Sequence, residues 1–293
     1  MDRPDTTSIP TGIKLYTLAA HRASKEVIYS YSTSFGAATK LLPKGLRHHI
    51  ENVYAMVRVA DEIVDGSALE AGVEDPEAEL NAFEAETYKA MATGFSTNLI
   101  LHSFAITARE VGISKEIVEP FFYSMRQDLT ETEHTQASFE KYVYGSAEVV
   151  GLMCLAAFVQ GQSYTQEQKK QLVLGARALG SAFQKVNFLR DLQADFKRLG
   201  RSYFPGVSVG SFDEATKQRL VADIEKDLAL SAAALPLLPR SARVAVTAAQ
   251  LLFAELNRKI GNTSAAELIN TRISVSNFSK LGLVGRAFLG AKP

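Results

Sequence analysis

The sequence predicts an all-α fold that forms a single domain. Alanine and leucine are abundant, tryptophan is absent, and no segment alternates apolar and polar residues as a half-buried strand would. The helical segments follow one another without a linker-like stretch, and no repeat of about 20–50 residues is visible. With 293 residues, 46% of them hydrophobic, the chain is long enough to bury a large core.

Ten helices are predicted, and proline or glycine separates most of them as a stop signal should. The stop signals are Pro43, Gly66, Pro76, Gly94, Gly112, Pro120, Gly200 and Pro205. In chain order the predicted helices span residues 22–35, 44–66, 77–92, 98–111, 115–129, 138–160, 166–197, 213–232, 240–260 and 264–271. Residues 1–20 are expected to be a loosely ordered segment of one domain that spans residues 1–293.

Composition excludes several classes of function. Lysine plus arginine equals aspartate plus glutamate at 32 each, so there is no basic surplus of the kind that nucleic-acid binders carry. The single cysteine, Cys154, has no disulfide partner, which favours the reducing cytoplasm. The first ten residues lack the basic and apolar regions of a signal peptide, and no stretch reads as a membrane span of roughly 18 apolar residues. We therefore expect a cytoplasmic protein.

Two helices each carry an acidic stripe. In "KVNFLRDLQADF" (185–196) and the residue before it, Gln184, Asn187, Asp191 and Asp195 fall at spacings of three, four and four, which places them on one helix face. In "NVYAMVRVADEIVDG" (52–66), a second stripe has spacings of four, three and four. Its members are Tyr54, Arg58, Asp61 and Asp65. The other faces of both helices are apolar.

A D-x-x-x-D pair alone is usually a solvated helix face, since like charges at this spacing cost only a few tenths of a kcal/mol in water. On helices that are otherwise apolar, unpaired carboxylates cost several kcal/mol each unless a cation compensates them. Arg58 and Arg190 cannot neutralise four aspartates. Mg²⁺ takes carboxylate oxygens and completes its shell with water and substrate phosphate, so two facing pairs predict a metal cluster that holds a diphosphate.

Other chemistries fit the sequence less well. A di-iron bundle needs two Glu-x-x-His motifs, and the one such spacing, Glu131 to His134, falls in a polar stretch that is typical of a loop. Neither G-x-G-x-x-G nor the P-loop pattern occurs. The adjacent pair His48–His49 is interpreted as part of a helix surface and not as a ligand site.

Four segments in order resemble the squalene and phytoene synthases, a family of head-to-head prenyltransferases. The similarity covers roughly residues 25–205 and is closest to bacterial phytoene synthases. The segments are "SYSTSFGAATKLLP" (30–43), "YAMVRVADEIVD" (54–65), "YVYGSAEVVGLM" (142–153) and "QKVNFLRDLQADFKRLGRSYFP" (184–205). The resemblance implies the isoprenoid synthase fold, a helical bundle with a central cavity.

The resemblance also assigns residues to roles. It implies that Mg²⁺, or Mn²⁺ in its place, is bound by Asp61, Asp65, Asp191 and Asp195 with Asn187. It implies diphosphate contacts from Arg58, Arg190, Ser32, Ser34 and Tyr203. Tyr54, Tyr142 and Gln184 would line the reacting centre, Phe35 would form a cavity wall, and Asp128 would lie near the site. Tyr31 departs from the histidine or other polar residue that many relatives carry, which affects substrate choice.

The implied reaction joins two geranylgeranyl diphosphates through a cyclopropylcarbinyl diphosphate and gives phytoene, a step of carotenoid biosynthesis, without NADPH. The alternatives are squalene or dehydrosqualene synthesis from farnesyl diphosphate, a terpene cyclase, and a non-catalytic helical partner that serves assembly. Apolar residues in "NFSKLGLVGRAFLGAKP" (277–293) suit either packing on the core or peripheral contact with a membrane or a downstream desaturase.

Overall fold

The computed structural model describes residues 10–194, 202–208 and 210–288, and the regular elements in these ranges are helices. Side chains are described for the same residues except 34, 193–194 and 277–281. The helices are α1 (Gly12–Tyr31), α2 (Thr33–Thr39), α3 (Lys44–Val64), α4 (Ser67–Glu70), α5 (Pro76–Thr93), α6 (Leu99–Val111), α7 (Lys115–Thr130), α8 (Gln136–Val143), α9 (Val149–Val159), α10 (Gln166–Ala194), α11 (Glu214–Ala234), α12 (Arg240–Asn262), α13 (Ala265–Leu268) and α14 (Asn277–Phe288). The all-α single-domain prediction is confirmed.

Local sequence explains where helices begin and end, as α5 illustrates. Asp75 caps its start by accepting a hydrogen bond from the Ala78 N–H at 2.9 Å, and Pro76 follows at the first helical position, where a missing N–H costs nothing. Gly94 ends the helix with φ of 78°, and Gly112 ends α6 in the same left-handed conformation. These glycines were correctly predicted as stops.

The predicted boundaries fail at four places. The first helix begins at Gly12 instead of residue 22, so residues 12–20, which were expected to be loosely ordered, are helical. The predicted helix 22–35 also breaks at Ser32, where α1 ends and α2 begins. Pro120 lies inside α7 and does not separate helices. The predicted helix 264–271 is shorter, and α14 follows it and packs on α12 through buried Leu283 and Ala287. Packing on the core is thus confirmed for this segment.

The predicted helix 138–160 contains a π-helical turn, Tyr144–Glu148, between α8 and α9. Gly145 lies in this turn, where an added Cβ would approach the Pro120 carbonyl oxygen to 2.1 Å. The contact requires glycine and brings α7 directly against the turn. Such bulges are frequent at functional sites, because they redirect the side chains on either side.

The segment Gln136–Val159 is, by length and composition alone, apolar enough to cross a membrane, which the sequence reading did not detect. The central helix of a folded domain passes the same test. Here α9 packs against α3, α7 and α10, and Val149 and Met153 are fully buried. This location accounts for its apolar composition.

The interpretation of His48–His49 as helix surface is wrong for His49, which is 4% exposed. Its ring faces α6, and its Nδ1 lies 3.1 Å from Oγ1 of buried Thr107. The hydrophobic pattern of α3 did not reveal this, because the polar face of α3 packs against polar residues of α6. The prediction that Glu131–His134 lies in a loop is confirmed.

Candidate active site

A cavity of about 720 Å³ runs along one face of α10. Because lining residues recur every three or four positions from Leu172 to Asp191, the cavity follows the helix for 19 residues, or about 28 Å at 1.5 Å per residue. The α10 residues that line it are Leu172, Gly175, Ala176, Leu179, Gly180, Phe183, Gln184, Asn187, Arg190 and Asp191. Residues of α2, α3, α9 and α12 form most of the remaining walls, and residues near the end of α11, Ser146, Ala147 and Arg272 also contribute.

The two ends of the cavity differ in chemistry. At the Asp191 end the lining includes three guanidinium groups, from Arg58, Arg190 and Arg272, together with the amides of Gln184 and Asn187. At the Leu172 end the lining is apolar, and its residues belong to one buried cluster. These residues are Leu155, Phe158, Leu172, Leu235 and Leu238. The cavity therefore fits a molecule with an anionic head and a long apolar tail.

Aromatic side chains form the wall near the polar end. Phe35 lies 6.2 Å from Tyr54 and 5.6 Å from Phe183 between ring centroids, and Phe183 stacks on Phe253 at 3.7 Å. Phe35 lines the cavity. Ser32 also lines the cavity, and its hydroxyl caps α2 by accepting from the Phe35 N–H at 3.0 Å. The side chain of Ser34 lies outside the described part.

The first acidic stripe presents an ion pair, Arg58–Asp61, beside a second carboxylate, Asp65. The Arg58 guanidinium donates to Asp61 at 2.6 Å and also to Glu62, and its plane lies over the ring of Tyr31 at 4.5 Å. Burial and the neighbouring charge of Asp65 raise the pKa of Asp61 to about 7, against the opposing effect of Arg58. Asp61 and Asp65 do not line the cavity itself.

The second stripe is neutralised by arginine. Arg190 donates to Asp191 at 2.5 Å, and Arg272 donates to the other carboxylate oxygen at 2.7 Å. Burial opposes ionisation of Asp191, but the hydrogen bonds and charges of these two arginines outweigh it and hold its pKa below the usual value. Asp195, the other predicted ligand of this stripe, lies outside the described residues.

Tyr142 and Tyr203 lie beside the cavity instead of in its wall. The Tyr142 hydroxyl donates to both oxygens of Asp128 at 2.9 Å, and the Tyr203 hydroxyl donates to the same carboxylate at 3.3 Å. Tyr203 also stacks on Phe188 at 4.0 Å. Burial and Asp128 raise the pKa of Tyr142 well above its ordinary value, so this hydroxyl keeps its proton. Asp65 adds to that effect, which links the cluster to the first acidic stripe.

Two residues at the site have roles that sequence reasoning missed. Arg272 comes from the segment after α13, beyond residues 25–205 in which the sequence motifs were recognised, and no motif marks it. Asp128 was expected near the site, but its role as the shared acceptor of two tyrosines was not. The sequence pattern of α7 could have indicated this role. Asp128 falls on the buried face of α7, and a buried carboxylate requires hydrogen-bond donors.

The small residues of the central helix have two different roles. Gly145 and Gly151 allow close approach, since a Cβ at Gly151 would lie 2.4 Å from the Ala176 carbonyl oxygen of α10. Ser146, Ala147 and Gly151 also line the cavity, whereas Gly145, Ala156 and Ala157 do not. Half of these six small residues therefore face the cavity, where a larger side chain would narrow it.

The donor set at the polar end fits a hard divalent cation. Carboxylate and amide oxygens are the protein ligands that Mg²⁺ prefers. The raised pKa of Asp61 reports two neighbouring carboxylates that Arg58 does not fully compensate, and a divalent cation would relieve that repulsion. No imidazole or thiolate lines this end of the cavity in the described residues, which disfavours a soft metal.

Comparisons with known proteins agree with this geometry. The family model described as squalene/phytoene synthase matches residues 28–279. A 15-cis-phytoene synthase of Paracoccus sp. (strain N81106 / MBIC 01143) is 28% identical over 281 residues, which cover 89% of this chain and 88% of that protein. A 4,4'-diapophytoene synthase of Staphylococcus haemolyticus (strain JCSC1435) is 26% identical over 204 residues, which cover 69% of this chain and 66% of that protein.

Among solved structures, a dehydrosqualene synthase in complex with a ligand is similar with a TM-score of 0.78, over 95% of this chain and 98% of that one, at 21% identity. This likeness confirms the predicted isoprenoid synthase fold. Because the family model covers most of the sequence, the chain belongs to the squalene/phytoene synthase family and is an enzyme of the prenyltransferase type.

Proposed function

We propose that this enzyme joins two geranylgeranyl diphosphates head to head and releases phytoene, with Mg²⁺ as its cofactor. The observation that carries the proposal is the cavity along α10, which is about 28 Å long, with three arginines and Asp191 at one end and an apolar lining at the other. An allylic diphosphate has the same division into an anionic head and an apolar chain.

The metal-binding groups in this proposal are the carboxylates of Asp61, Asp65, Asp191 and Asp195, with the amide oxygen of Asn187 as a further ligand. Mn²⁺ satisfies the same oxygen donors. When bound, the metal neutralises charge on the leaving diphosphate. The fit is supported by the carboxylate chemistry of both stripes and by the position of Asn187 and Asp191 in the cavity wall.

Arginine side chains hold the diphosphates in this proposal. Arg58, Arg190 and Arg272 all line the polar end, and each guanidinium can bind phosphate oxygens in a bidentate manner. Ser32, Ser34 and Tyr203 are proposed as further diphosphate contacts. Of these, Ser32 lines the cavity, while Tyr203 would need the substrate to reach past the lining residues.

Aromatic rings stabilise positive charge on the substrate in this proposal. Tyr54, Phe35 and Phe183 lie within one aromatic cluster next to the arginines, and the face of an aromatic ring attracts a cation by about 0.5–2 kcal/mol. Gln184 lines the same region. Water is excluded by the apolar walls deeper along α10, so a cationic intermediate is protected from hydrolysis.

The proposed reaction is redox-neutral. The first half breaks the C1–O bond of one substrate, forms a cyclopropane on the second, and releases one diphosphate and one proton. The second half breaks the remaining C1–O bond, rearranges the ring, and releases the second diphosphate and another proton. Because no hydride enters this reaction, NADPH is not required. Squalene formation, in contrast, needs a hydride from NADPH. The hydroxyls of Tyr54 and the Tyr142–Asp128 pair are the candidate groups for moving these protons.

Chain length is the least constrained element. One more isoprene unit contributes up to roughly 4 kcal/mol, at about 0.8 kcal/mol for each of its five carbons, if the cavity admits it. The second candidate is condensation of two farnesyl diphosphates to dehydrosqualene, which the likeness to the Staphylococcus haemolyticus protein favours. That reaction would use the same polar end and leave part of the apolar end empty.

Competition between the two substrates tests the proposal. Purified protein with Mg²⁺ and without NADPH is given both diphosphates at equal concentration, and the hydrocarbon products are weighed by mass spectrometry. A predominant C40 hydrocarbon supports phytoene synthesis, and a predominant C30 hydrocarbon replaces it with dehydrosqualene synthesis. Product that forms only after NADPH is added would overturn both in favour of squalene synthesis.

The fate of the product motivates one more proposal. A long hydrocarbon is insoluble, so release at a membrane surface or to a downstream desaturase would be useful. Phe288 at the end of α14 is 64% exposed and is the candidate contact for either.

A further inference from the structure

A cluster of histidine and glutamate side chains lies where α3 and α6 pack together. His48, His49 and Glu110 each direct one potential ligand atom to a common point, and these atoms lie within 4.8 Å of one another. Nε2 of His49 is 3.9 Å from Oε2 of Glu110. None of the three lines the cavity. His48 lies 13 residues before Asp61 on α3, or about 20 Å along the helix.

The rings of His48 and His49 lie closer together than adjacent residues on a helix usually place their side chains. Neighbouring residues on a helix point in directions about 100° apart, so side chains at i and i+1 do not face each other. Here the ring centroids of His48 and His49 are only 4.0 Å apart. A third imidazole, His21 on α1, lies 5.0 Å from His48, and its Nδ1 is held by the side chain of Asn52 at 2.9 Å. Three imidazole rings from two helices therefore converge beside one carboxylate.

A hydrogen bond to Nδ1 holds the ring of each of the two α3 histidines. Nδ1 of His48 lies 3.2 Å from the Lys44 carbonyl oxygen. Since a carbonyl only accepts, Nδ1 carries the hydrogen and Nε2 of the neutral ring carries the lone pair. Nδ1 of His49 lies 3.1 Å from the Thr107 hydroxyl, which can donate or accept, so a metal at Nε2 would select the tautomer whose Nδ1 donates to this hydroxyl. Histidine ligands of metals almost always have their second ring nitrogen bound by such a partner.

We propose that His48, His49 and Glu110 bind one divalent transition-metal ion, with Zn²⁺ as the best match to two imidazoles and a carboxylate. In a tetrahedral site, zinc bonds of about 2.0–2.2 Å place two ligand atoms about 3.3–3.6 Å apart. The 3.9 Å pair must therefore close by about 0.5 Å, and a 4.8 Å pair by about 1.2–1.5 Å, which are distances that side-chain rotation covers. A water molecule or His21 completes a tetrahedral shell.

The site differs from the acidic end of the cavity in both place and chemistry. Imidazole nitrogen selects zinc, cobalt, nickel or copper over Mg²⁺, which prefers oxygen. An ion here ties the beginning of α3 to the end of α6. Because it would bind the folded chain and not the unfolded one, it raises the melting temperature. It takes no part in the proposed condensation.

The test uses the full chain without a histidine tag, stripped with a chelator and returned to buffer that contains excess Mg²⁺ to occupy oxygen sites. Co²⁺ is added alone and followed by visible absorption, and Zn²⁺ is added alone and followed by the melting temperature. The variants are His48→Gln and Glu110→Gln. The matched control is Glu116→Gln, which removes an exposed carboxylate from α7 and leaves the cluster intact.

One equivalent of Co²⁺ with the intense bands of a tetrahedral site is expected in the wild-type chain and in Glu116→Gln, with at least tenfold weaker binding in both cluster variants. Zn²⁺ should raise the melting temperature by several degrees only where the cluster is intact. Equal binding in all four proteins would overturn the proposal, as would the absence of a one-equivalent signal in the wild-type chain. The variants are judged as folded by their circular dichroism before metal is added.

Discussion

A substitution at Ala176 tests whether the apolar end of the cavity sets the chain length of the substrate. Ala176 lines the cavity 15 residues before Asp191 on α10, or about 22 Å from the polar end, and Leu172 lies another turn deeper. Ala176→Phe should fill the last turn of the cavity, about 6 Å, which is comparable to one isoprene unit. The rest of the wall and all three arginines stay in place.

The magnitude follows from the apolar contact that is lost. Complete exclusion of one isoprene unit removes up to roughly 4 kcal/mol, and partial exclusion removes about 1–2 kcal/mol. Since each 1.4 kcal/mol is a factor of ten, kcat/KM for geranylgeranyl diphosphate should fall about 10- to 1000-fold relative to that for farnesyl diphosphate. The assay is turnover of both substrates in one mixture, so the ratio does not depend on the fraction of active protein.

Leu174→Phe is the matched control, because Leu174 is 50% exposed on the opposite face of the same helix. It should leave the substrate ratio unchanged. An unchanged ratio in Ala176→Phe, with a melting temperature close to that of the wild type, would refute the reasoning. The terminal isoprene would then lie elsewhere in the cavity.

Four further predictions concern the polar end and the cofactor requirement. Asp61→Asn and Asp191→Asn should each abolish turnover while circular dichroism stays unchanged, and near-normal turnover in both would exclude the metal assignment. In metal-free protein the pKa of Asp61 is about 7 in the folded state and 3.8 in the unfolded state, so the folded state binds the extra proton and the free energy of unfolding falls as pH rises from about 4 to 7. In Asp61→Asn this fall should be smaller by up to about 1 kcal/mol, as measured by chemical denaturation. A parallel pH profile of stability in both proteins would contradict the prediction. Arg272→Gln should weaken diphosphate binding about tenfold, as measured by calorimetry with Mg²⁺ present. The control Arg258→Gln, which removes an exposed ion pair with Glu255, should leave the affinity unchanged. Equal affinities in both variants would show that Arg272 does not bind diphosphate. Turnover without NADPH should equal turnover with it, and a requirement for NADPH would contradict the redox-neutral reaction.

Much of the fold was predictable because local signals agreed with the tertiary structure. Gly94 and Gly112 mark helix ends that need left-handed backbone, and Pro76 marks a helix start. The same reasoning failed at Pro120, because α7 continues through this proline in its second turn, where the missing N–H costs the helix one backbone hydrogen bond. A proline alone therefore does not fix a helix boundary.

The candidate site was predictable where its residues share a helix. Gln184, Asn187 and Asp191 line the cavity together because a spacing of three or four residues places side chains on one face. Arg272 was not predictable, since its contact with Asp191 joins residues 81 positions apart and depends on the path of the chain after α13. The buried position of His49 was missed for a similar reason, because its partner Thr107 lies on another helix.

The arginine contacts predict that the proposed metal and the proposed diphosphate substrate bind cooperatively. The negative charge of Asp191 is compensated by Arg190 and Arg272, and that of Asp61 is compensated in part by Arg58. A divalent cation at these carboxylates would compete with the guanidinium groups and free them to bind phosphate oxygens. A diphosphate would, in turn, draw the arginines away and expose the carboxylates to metal. Because coupling between two ligands is reciprocal, each should raise the affinity of the other by the same factor.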